Sequence, residues 1–134
     1  MSFSTAEEVV DYIGGIFEAA FADPEIGPKL VATDIVLEFV FTDPDSVLIV
    51  DTPNSAVHGG RAEGRTPTAS MHMSADTGNA YWQGKVNLPM AMAKGKIKVE
   101  GNVASLLKIA PLGKKLYPVY KERLTSSGRT DLLV

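Results

Sequence analysis

The chain contains no cysteine, and only two of its 134 residues are histidine. Without cysteine it can have neither a disulfide framework nor a thiol nucleophile, and this composition fits a reducing compartment. The histidines, His58 and His72, are not spaced with further histidines or carboxylates in the pattern of a metal site. We therefore predict no bound metal.

Long apolar runs are also missing. No run of about eighteen apolar residues occurs, so we expect no membrane-spanning helix. The N-terminus lacks the basic start and apolar block of a secretory signal, and residues Asp131–Val134 are not a peroxisomal tripeptide of the Ser-Lys-Leu type. These absences predict a cytoplasmic protein.

The overall composition is typical of a folded chain. Hydrophobic residues make up 45% of the sequence and charged residues 22%. A chain of this length can bury a substantial core, and no internal repeat or low-complexity tract divides it. We predict one domain over residues 1–134.

Charge is unevenly distributed along the chain. Residues 1–67 hold three Lys or Arg and twelve Asp or Glu, whereas residues 68–134 hold ten and four. The basic half could attract an anionic ligand or a membrane surface, or the two halves could pack against each other. The acidic pI and the lack of interleaved aromatic and basic residues argue against nucleic-acid binding.

Two helices are predicted near the N-terminus. The first covers Ser4–Phe21, where apolar residues recur at helical spacing, and Ser4 with Glu7 forms a capping-box pattern. The second begins with Asp23 as its cap and Pro24 at its first position.

Alternating apolar and polar residues predict three strands. In Asp34–Phe41 and in Thr68–Ser74 every second side chain is apolar, and Val47–Val50 forms a hairpin with the first of these segments. Residues 52–67 are rich in Pro, Gly, Ser and Asn, and we interpret them as a long loop that holds at most a weak edge strand.

Short elements fill the rest of the chain. Ser74 and Asn87 each cap a short helix, and Gly95 ends the second one. Lys96–Glu100 is predicted to be a strand, and Asn102 caps a last helical region that Pro111 interrupts. Helices and strands in this order indicate an α+β fold with an antiparallel-rich sheet.

No catalytic constellation is visible in the sequence. Ser74 and Ser105 have no nearby base and no nucleophile elbow, and Gly59-Gly60-Arg61 is too short for a dinucleotide fingerprint. We predict that the protein is not an enzyme and that it needs no cofactor.

The segment Gly84–Asn102 carries the most specific pattern in the chain. It opens with Gly-Lys-Val-Asn, continues through a short apolar helix and closes with Gly-Lys-Ile-Lys-Val-Glu-Gly-Asn. This pattern resembles the signature of the sterol carrier protein type 2 family, the non-specific lipid-transfer domain. The likeness extends back to the strand at Met71–Ser74 and covers roughly the last two thirds of the chain.

The resemblance implies a mixed sheet covered on one face by helices, with a hydrophobic tunnel between them. The implied ligands are fatty acids, fatty acyl-CoA and sterol-like molecules. Either the apolar residues line such a tunnel or they form a closed core. The tunnel residues expected are Leu37, Phe39, Phe41, Met71, Met73, Tyr81, Trp82, Met90, Met92 and Ile97.

Other functions stay open at this point. The protein could be an accessory or an enzyme that acts on a hydrophobic metabolite, or a structural module that binds a partner through an apolar patch. As partners we expect a hydrophobic small molecule or lipid and transient contact with a membrane surface, in a monomer or a weak dimer.

Overall fold

A mixed sheet of five strands carries the helices on one face. The computed structural model describes residues 3–60 and 67–134. The strands lie in the order β3-β2-β1-β4-β5; β1 pairs in parallel with β4, and the other three pairs are antiparallel. Their bounds are β1 Val36–Thr42, β2 Ser46–Asp51, β3 Ala56–Gly59, β4 Ala69–Ser74 and β5 Lys98–Gly101.

Six α-helices are formed by the described residues, and a 3₁₀ turn, Thr130–Leu132, follows them. The helices are α1 Ala6–Ala22, α2 Ile26–Ala32, α3 Ala75–Tyr81, α4 Leu88–Ala93, α5 Val103–Lys114 and α6 Tyr117–Ser126. Within the described part of the chain, none of the helices combines the length and the apolar character needed to cross a membrane. The expected α+β class with an antiparallel-rich sheet is confirmed.

The central strand β1 explains how the sheet holds its helices. Leu37, Phe39 and Phe41 alternate along β1 and are at most 2% exposed, because they point to the helix-covered face. Phe39 lies opposite Leu48 of β2 and opposite Met71 of β4. The predicted alternation is therefore confirmed, and it places one apolar stripe at the centre of the core.

An aromatic cluster fills the space between the sheet and the helices. The ring of Phe17 in α1 lies 5.7 Å from Phe39 and meets Trp82 edge-on at 5.1 Å. Phe39 stacks on Phe41 with 6.1 Å between ring centroids. Such pairs stabilise a core beyond the area that they bury.

The first two helices begin later than predicted. Thr5, not Ser4, is the N-cap of α1: its Oγ1 accepts from the Glu8 amide, and the Ser4 amide donates to the Glu8 carboxylate. The capping box is thus shifted by one residue. Asp23 ends α1, and its carboxylate accepts from the amide of Ile26, so α2 starts at Ile26 instead of Pro24.

The prediction that Pro111 interrupts the last helical region is wrong. Helix α5 runs through Pro111 to Lys114. Proline cannot donate to the carbonyl of Leu107, but both residues lie on the exposed side of α5, where water can replace the missing bond. Pro118 instead lies in the first turn of α6, a position that tolerates proline.

The sheet edges also differ in detail from the sequence prediction. The loop predicted for residues 52–67 contains the edge strand β3, while its residues 61–66 lie outside the described residues. At the other edge β5 starts at Lys98, two residues later than expected. Ile97 is nevertheless 1% exposed, whereas Val99, also expected to face inward, is only half-buried.

A buried polar network fastens the C-terminal residues to α3. The amides of Asn79 and Gln83 donate to the carbonyl of Leu132 at 2.8 and 2.9 Å. The Tyr120 hydroxyl donates to Asn79 Oδ1 at 2.6 Å, and the Val134 amide donates to Gln83 Oε1 at 2.9 Å. Because all these side chains are buried, their mutual hydrogen bonds offset the cost of removing them from water.

Arg129 adds an ionic attachment to α1. Its guanidinium binds the carboxylates of Glu8 and Asp131 and lies 5.7 Å over the ring of Tyr12. The Ser4 amide and the guanidinium hold the pKa of Glu8 below its usual range, and hydrogen bonds from Arg129 lower the pKa of Asp131. The chain end is therefore tied to both α1 and α3.

Acid should loosen this attachment. Both carboxylates have lowered pKa values when folded, so their stabilising effect is complete above about pH 4.5 and is lost as the pH falls through the folded values. We expect the amides of Leu132 and Val134 to lose hydrogen-exchange protection below about pH 4. Arg129→Gln should lower that protection at neutral pH and flatten the pH profile. An unchanged profile in the variant would contradict the assignment.

Two glycines at positive φ should differ in their tolerance of alanine. Gly95 has φ +76° and open space around its Cβ position, whereas at Gly101, with φ +88°, a Cβ would lie 2.6 Å from the Thr68 carbonyl oxygen. We expect Gly95→Ala to lower the free energy of unfolding by about 1 kcal/mol. Gly101→Ala should cost clearly more, because strain and overlap act together. Urea denaturation measures both, and equal losses would contradict the prediction.

Candidate functional site

An inner crevice lies between the sheet and α5. Its volume is about 20 Å³, close to that of one water molecule. Tyr81 and Trp82 are its only lining residues whose side chains carry a polar hydrogen. The residues that line this inner crevice are Phe17, Leu37, Phe39, Met71, Tyr81, Trp82, Leu88, Leu106, Ile109, Ala110 and Gly113.

The close approach of α5 keeps the inner crevice narrow. Leu106, Ile109 and Gly113 are the buried residues of α5, and their spacing places them on one face of the helix. A Cβ built at Gly113 would lie 3.6 Å from Trp82 Cζ3. The absence of a side chain at Gly113 thus leaves the space beside Trp82.

An outer groove opens to solvent above the inner crevice. It has a volume of about 640 Å³ and lies between the segment that follows α3 and the exposed side of α5. Tyr81, Leu88 and Ala110 line both spaces, so the floor of the outer groove is the roof of the inner crevice. Its lining residues are Tyr81, Gly84, Val86, Asn87, Leu88, Pro89, Met92, Leu107, Ala110, Lys114 and Tyr117.

A basic groove adjoins the outer groove. It has a volume of about 380 Å³ and shares Val86 and Asn87 with its neighbour. Three exposed lysines contribute to it against one carboxylate, that of Asp76. The lysines are Lys85, Lys94 and Lys96.

The residues predicted to line a tunnel are distributed over all three spaces and the core. Leu37, Phe39, Met71, Tyr81 and Trp82 line the inner crevice. Met92 lines the outer groove and is 38% exposed, and Met90 lines the basic groove and is 55% exposed. The remaining three, Phe41, Met73 and Ile97, are buried in the core.

Sequence reasoning missed the contribution of α5. Leu106, Leu107, Ile109 and Ala110 line the inner crevice or the outer groove, but a helix expected to be interrupted at Pro111 offered no continuous face to consider. The spacing of Leu106, Ile109 and Gly113 was the available signal. Phe17 of α1 was missed because its apolar face was assigned only to packing.

The inner crevice offers binding rather than acid–base chemistry. Burial, together with the neighbouring Tyr117, raises the pKa of Tyr81 to about 12, so its hydroxyl stays neutral at physiological pH. Trp82 Nε1 is buried, and no acceptor of the described residues lies within hydrogen-bonding distance of it. No group of three His, Cys, Asp or Glu suited to a metal ion occurs in residues 3–60 and 67–134.

Comparison with protein families gives one match. Residues 26–118, more than half of the chain, match the model described as alkyl sulfatase C-terminal. No curated protein sequence matches the chain.

Solved structures of sterol carrier proteins share the fold. Sterol carrier protein domain 2 of Helicoverpa armigera has a TM-score of 0.69 at 21% identity, over 88% of this chain and 95% of that one. Sterol carrier protein 2 of Yarrowia lipolytica, in its apo form, gives 0.65 at 19%, over 81% and 100%. Sterol carrier protein 2 of Aedes aegypti, in complex with palmitate, gives 0.57 at 21%, over 83% and 96%. The expected resemblance is thus confirmed at the level of the fold.

Two helical glycines should respond oppositely to alanine. At Gly113 a Cβ meets Trp82 at ordinary van der Waals distances, so Gly113→Ala should raise the free energy of unfolding by up to about 1 kcal/mol through helix propensity. At Gly78 a Cβ would lie 2.7 Å from Phe41 Cε1, so Gly78→Ala should lower it by about 1–3 kcal/mol. Urea denaturation tests the pair. A loss of stability in Gly113→Ala would show that no space exists beside Trp82.

Proposed function

The chain belongs to the alkyl sulfatase C-terminal family, and on that premise we propose that it binds and carries amphiphiles with an apolar chain and an anionic head group. Fatty acids are the simplest candidates, and fatty acyl-CoA and sterol-like molecules are further ones. The observation that carries the proposal is the continuity of the outer groove with the inner crevice beneath it.

The outer groove is suited to the apolar chain. Its volume lies in the range of small-molecule sites, and it is lined by more apolar than polar side chains. Met92 and Leu107 stand exposed at its walls, so a bound chain would cover apolar surface that otherwise contacts water. Each methylene transferred from water contributes about 0.8 kcal/mol.

The inner crevice supplies a deeper extension that must open. At about 20 Å³ it is too small for an alkyl chain, so a ligand that enters it has to separate α5 from the sheet. Met71 can adapt its conformation to a new neighbour, and only one face of α5 is buried. In this proposal the hydrophobic tunnel forms when the ligand binds.

The basic groove is suited to the head group. Lys85, Lys94 and Lys96 give it a positive balance, and Asn87 connects it to the outer groove. Because the lysines are exposed, each should contribute less than about 1 kcal/mol, and salt should screen their effect. Charge would therefore orient the ligand, while the apolar chain supplies most of the affinity.

The comparisons support an amphiphile as ligand. The sterol carrier protein 2 of Aedes aegypti, which shares the fold, is described in complex with palmitate. The family description refers to alkyl sulfatases, whose name denotes substrates with an alkyl chain and a sulfate. Both molecules combine an apolar chain with an anionic head.

In the simplest form of the proposal the protein acts without catalysis. It would be a single cytoplasmic domain over residues 1–134, monomeric or weakly dimeric, that takes up its ligand by transient contact with a membrane surface. The ten predicted tunnel residues would then contact ligand directly or support the walls around it.

The family match favours one second candidate. An alkyl sulfatase C-terminal domain is named as part of an enzyme, so this chain could act as an accessory that presents an amphiphile to a separate enzyme. A carrier should transfer a fluorescent fatty acid between vesicles when alone. An accessory should bind the fatty acid but transfer it only to its enzyme.

The wall of the outer groove provides the test of the site. Leu107 is 60% exposed, so Leu107→Asp should fold normally but weaken fatty-acid binding roughly tenfold by placing a charge beside the chain. In the wild type, affinity should rise up to about fourfold per added carbon between about eight and sixteen carbons. Isothermal titration measures both effects.

Val119→Asp is the matched control. Val119 is an apolar residue of α6 that is 38% exposed and lines none of the three spaces. Its replacement should leave binding unchanged. Equal affinities in wild type and Leu107→Asp would contradict the proposed site, and failure of the wild type to bind at any chain length would contradict the proposed function.

A further inference from the structure

The single tryptophan of the chain has a hydrogen-bond donor that the protein does not use. Trp82 is 3% exposed, and its Nε1 is buried without an acceptor among the described residues. Its surroundings are mainly aromatic: Phe17 and Tyr81 meet the indole edge-on at 5.1 and 5.3 Å. An unsatisfied buried donor lowers stability, so its presence beside a cavity calls for a physical explanation.

Water is a poor partner for this donor. The inner crevice that Trp82 lines has room for about one water molecule. A buried water needs two to four polar partners, and apart from the indole N–H only the Tyr81 hydroxyl projects from a lining side chain. A water there would leave most of its own hydrogen bonds unmade.

We infer that Trp82 is the polar anchor of the inner crevice and that its indole N–H donates to an uncharged oxygen carried by the ligand's chain. This inference rests on the proposed function, because the oxygen can reach Trp82 only when an apolar chain enters the inner crevice. The ligand class is an amphiphile whose chain bears a ketone, ester, ether or hydroxyl oxygen away from its charged end.

The oxygen must be uncharged because the inner crevice has no cation to meet an ionic group. No lysine, arginine or histidine lines it, so a carboxylate or sulfate there would be buried without a counter-ion. The nearest lining lysines belong to the outer and basic grooves, at the solvent side of Tyr81 and Leu88. The anionic head therefore stays in the basic groove while the uncharged oxygen lies deep.

The anchor implies selectivity. Plain alkyl chains can occupy the same space but leave the indole N–H unsatisfied. An oxygen-bearing chain gains one hydrogen bond that forms only at full insertion, since Trp82 lines the inner crevice and not the outer groove. The protein should thus prefer oxygenated chains relative to their partition into a hydrocarbon solvent.

The test compares two ligands of the same shape. Methyl nonyl ketone carries one acceptor oxygen, and its methylidene analogue replaces that oxygen with a methylene group. Because the chain has one tryptophan, the indole N–H gives one resonance in a proton–nitrogen correlation spectrum of the whole protein. We expect the ketone to move this proton resonance downfield and the methylidene analogue to bind without doing so.

Trp82→Phe completes the test by removing the donor and keeping an aromatic ring. It should weaken ketone binding about two- to tenfold more than binding of the analogue. If the variant does not fold, the wild-type resonance alone decides.

The outcomes separate the two proposals. If both ligands bind but move the indole resonance alike, or if Trp82→Phe affects both equally, the anchor is overturned while the proposed function stands. If neither the two ligands nor a fatty acid binds the wild type, the proposed function is overturned and the anchor with it.

Discussion

The rest of the structure depends on burial of the apolar face of β1. This strand lies at the centre of the sheet, with β2 on one side and β4 on the other, so Leu37, Phe39 and Phe41 are each flanked by apolar residues. A shift of one residue in the register of β1 would turn this face to the opposite side of the sheet and replace Phe39 with Glu38 or Val40. The aromatic cluster, and the position of Trp82 within it, follow from this register.

The same packing explains why the binding site is both present and closed. The aromatic cluster fills the centre of the helix-covered face, but at Gly113 helix α5 presents no side chain to Trp82. The result is an inner crevice of about 20 Å³ below an outer groove of about 640 Å³. A core that is tight around Phe39 and loose beside α5 can keep its fold while one wall moves, which a carrier of apolar chains requires.

Charge has two roles that the sequence alone did not separate. The acidic first half and the basic second half do pair across the fold, since Arg129 binds Glu8 and Lys115 lies 3.4 Å from Glu25. Other lysines of the second half have no such role: Lys85, Lys94 and Lys96 together line the basic groove. Part of the charge imbalance is therefore spent on joining the halves, and part forms a positive surface beside the apolar site.

The sequence by itself determined the α+β class and the apolar face of β1, because local periodicity sets which side chains share a face. It also determined Ser74, Asn87 and Asn102 as helix caps, because a cap is a contact between residues three apart. Only the tertiary structure decided that α5 continues through Pro111, that Met90 and Met92 face solvent, and that Trp82 lacks an acceptor. These features depend on which distant segments meet, and no local pattern carries that information.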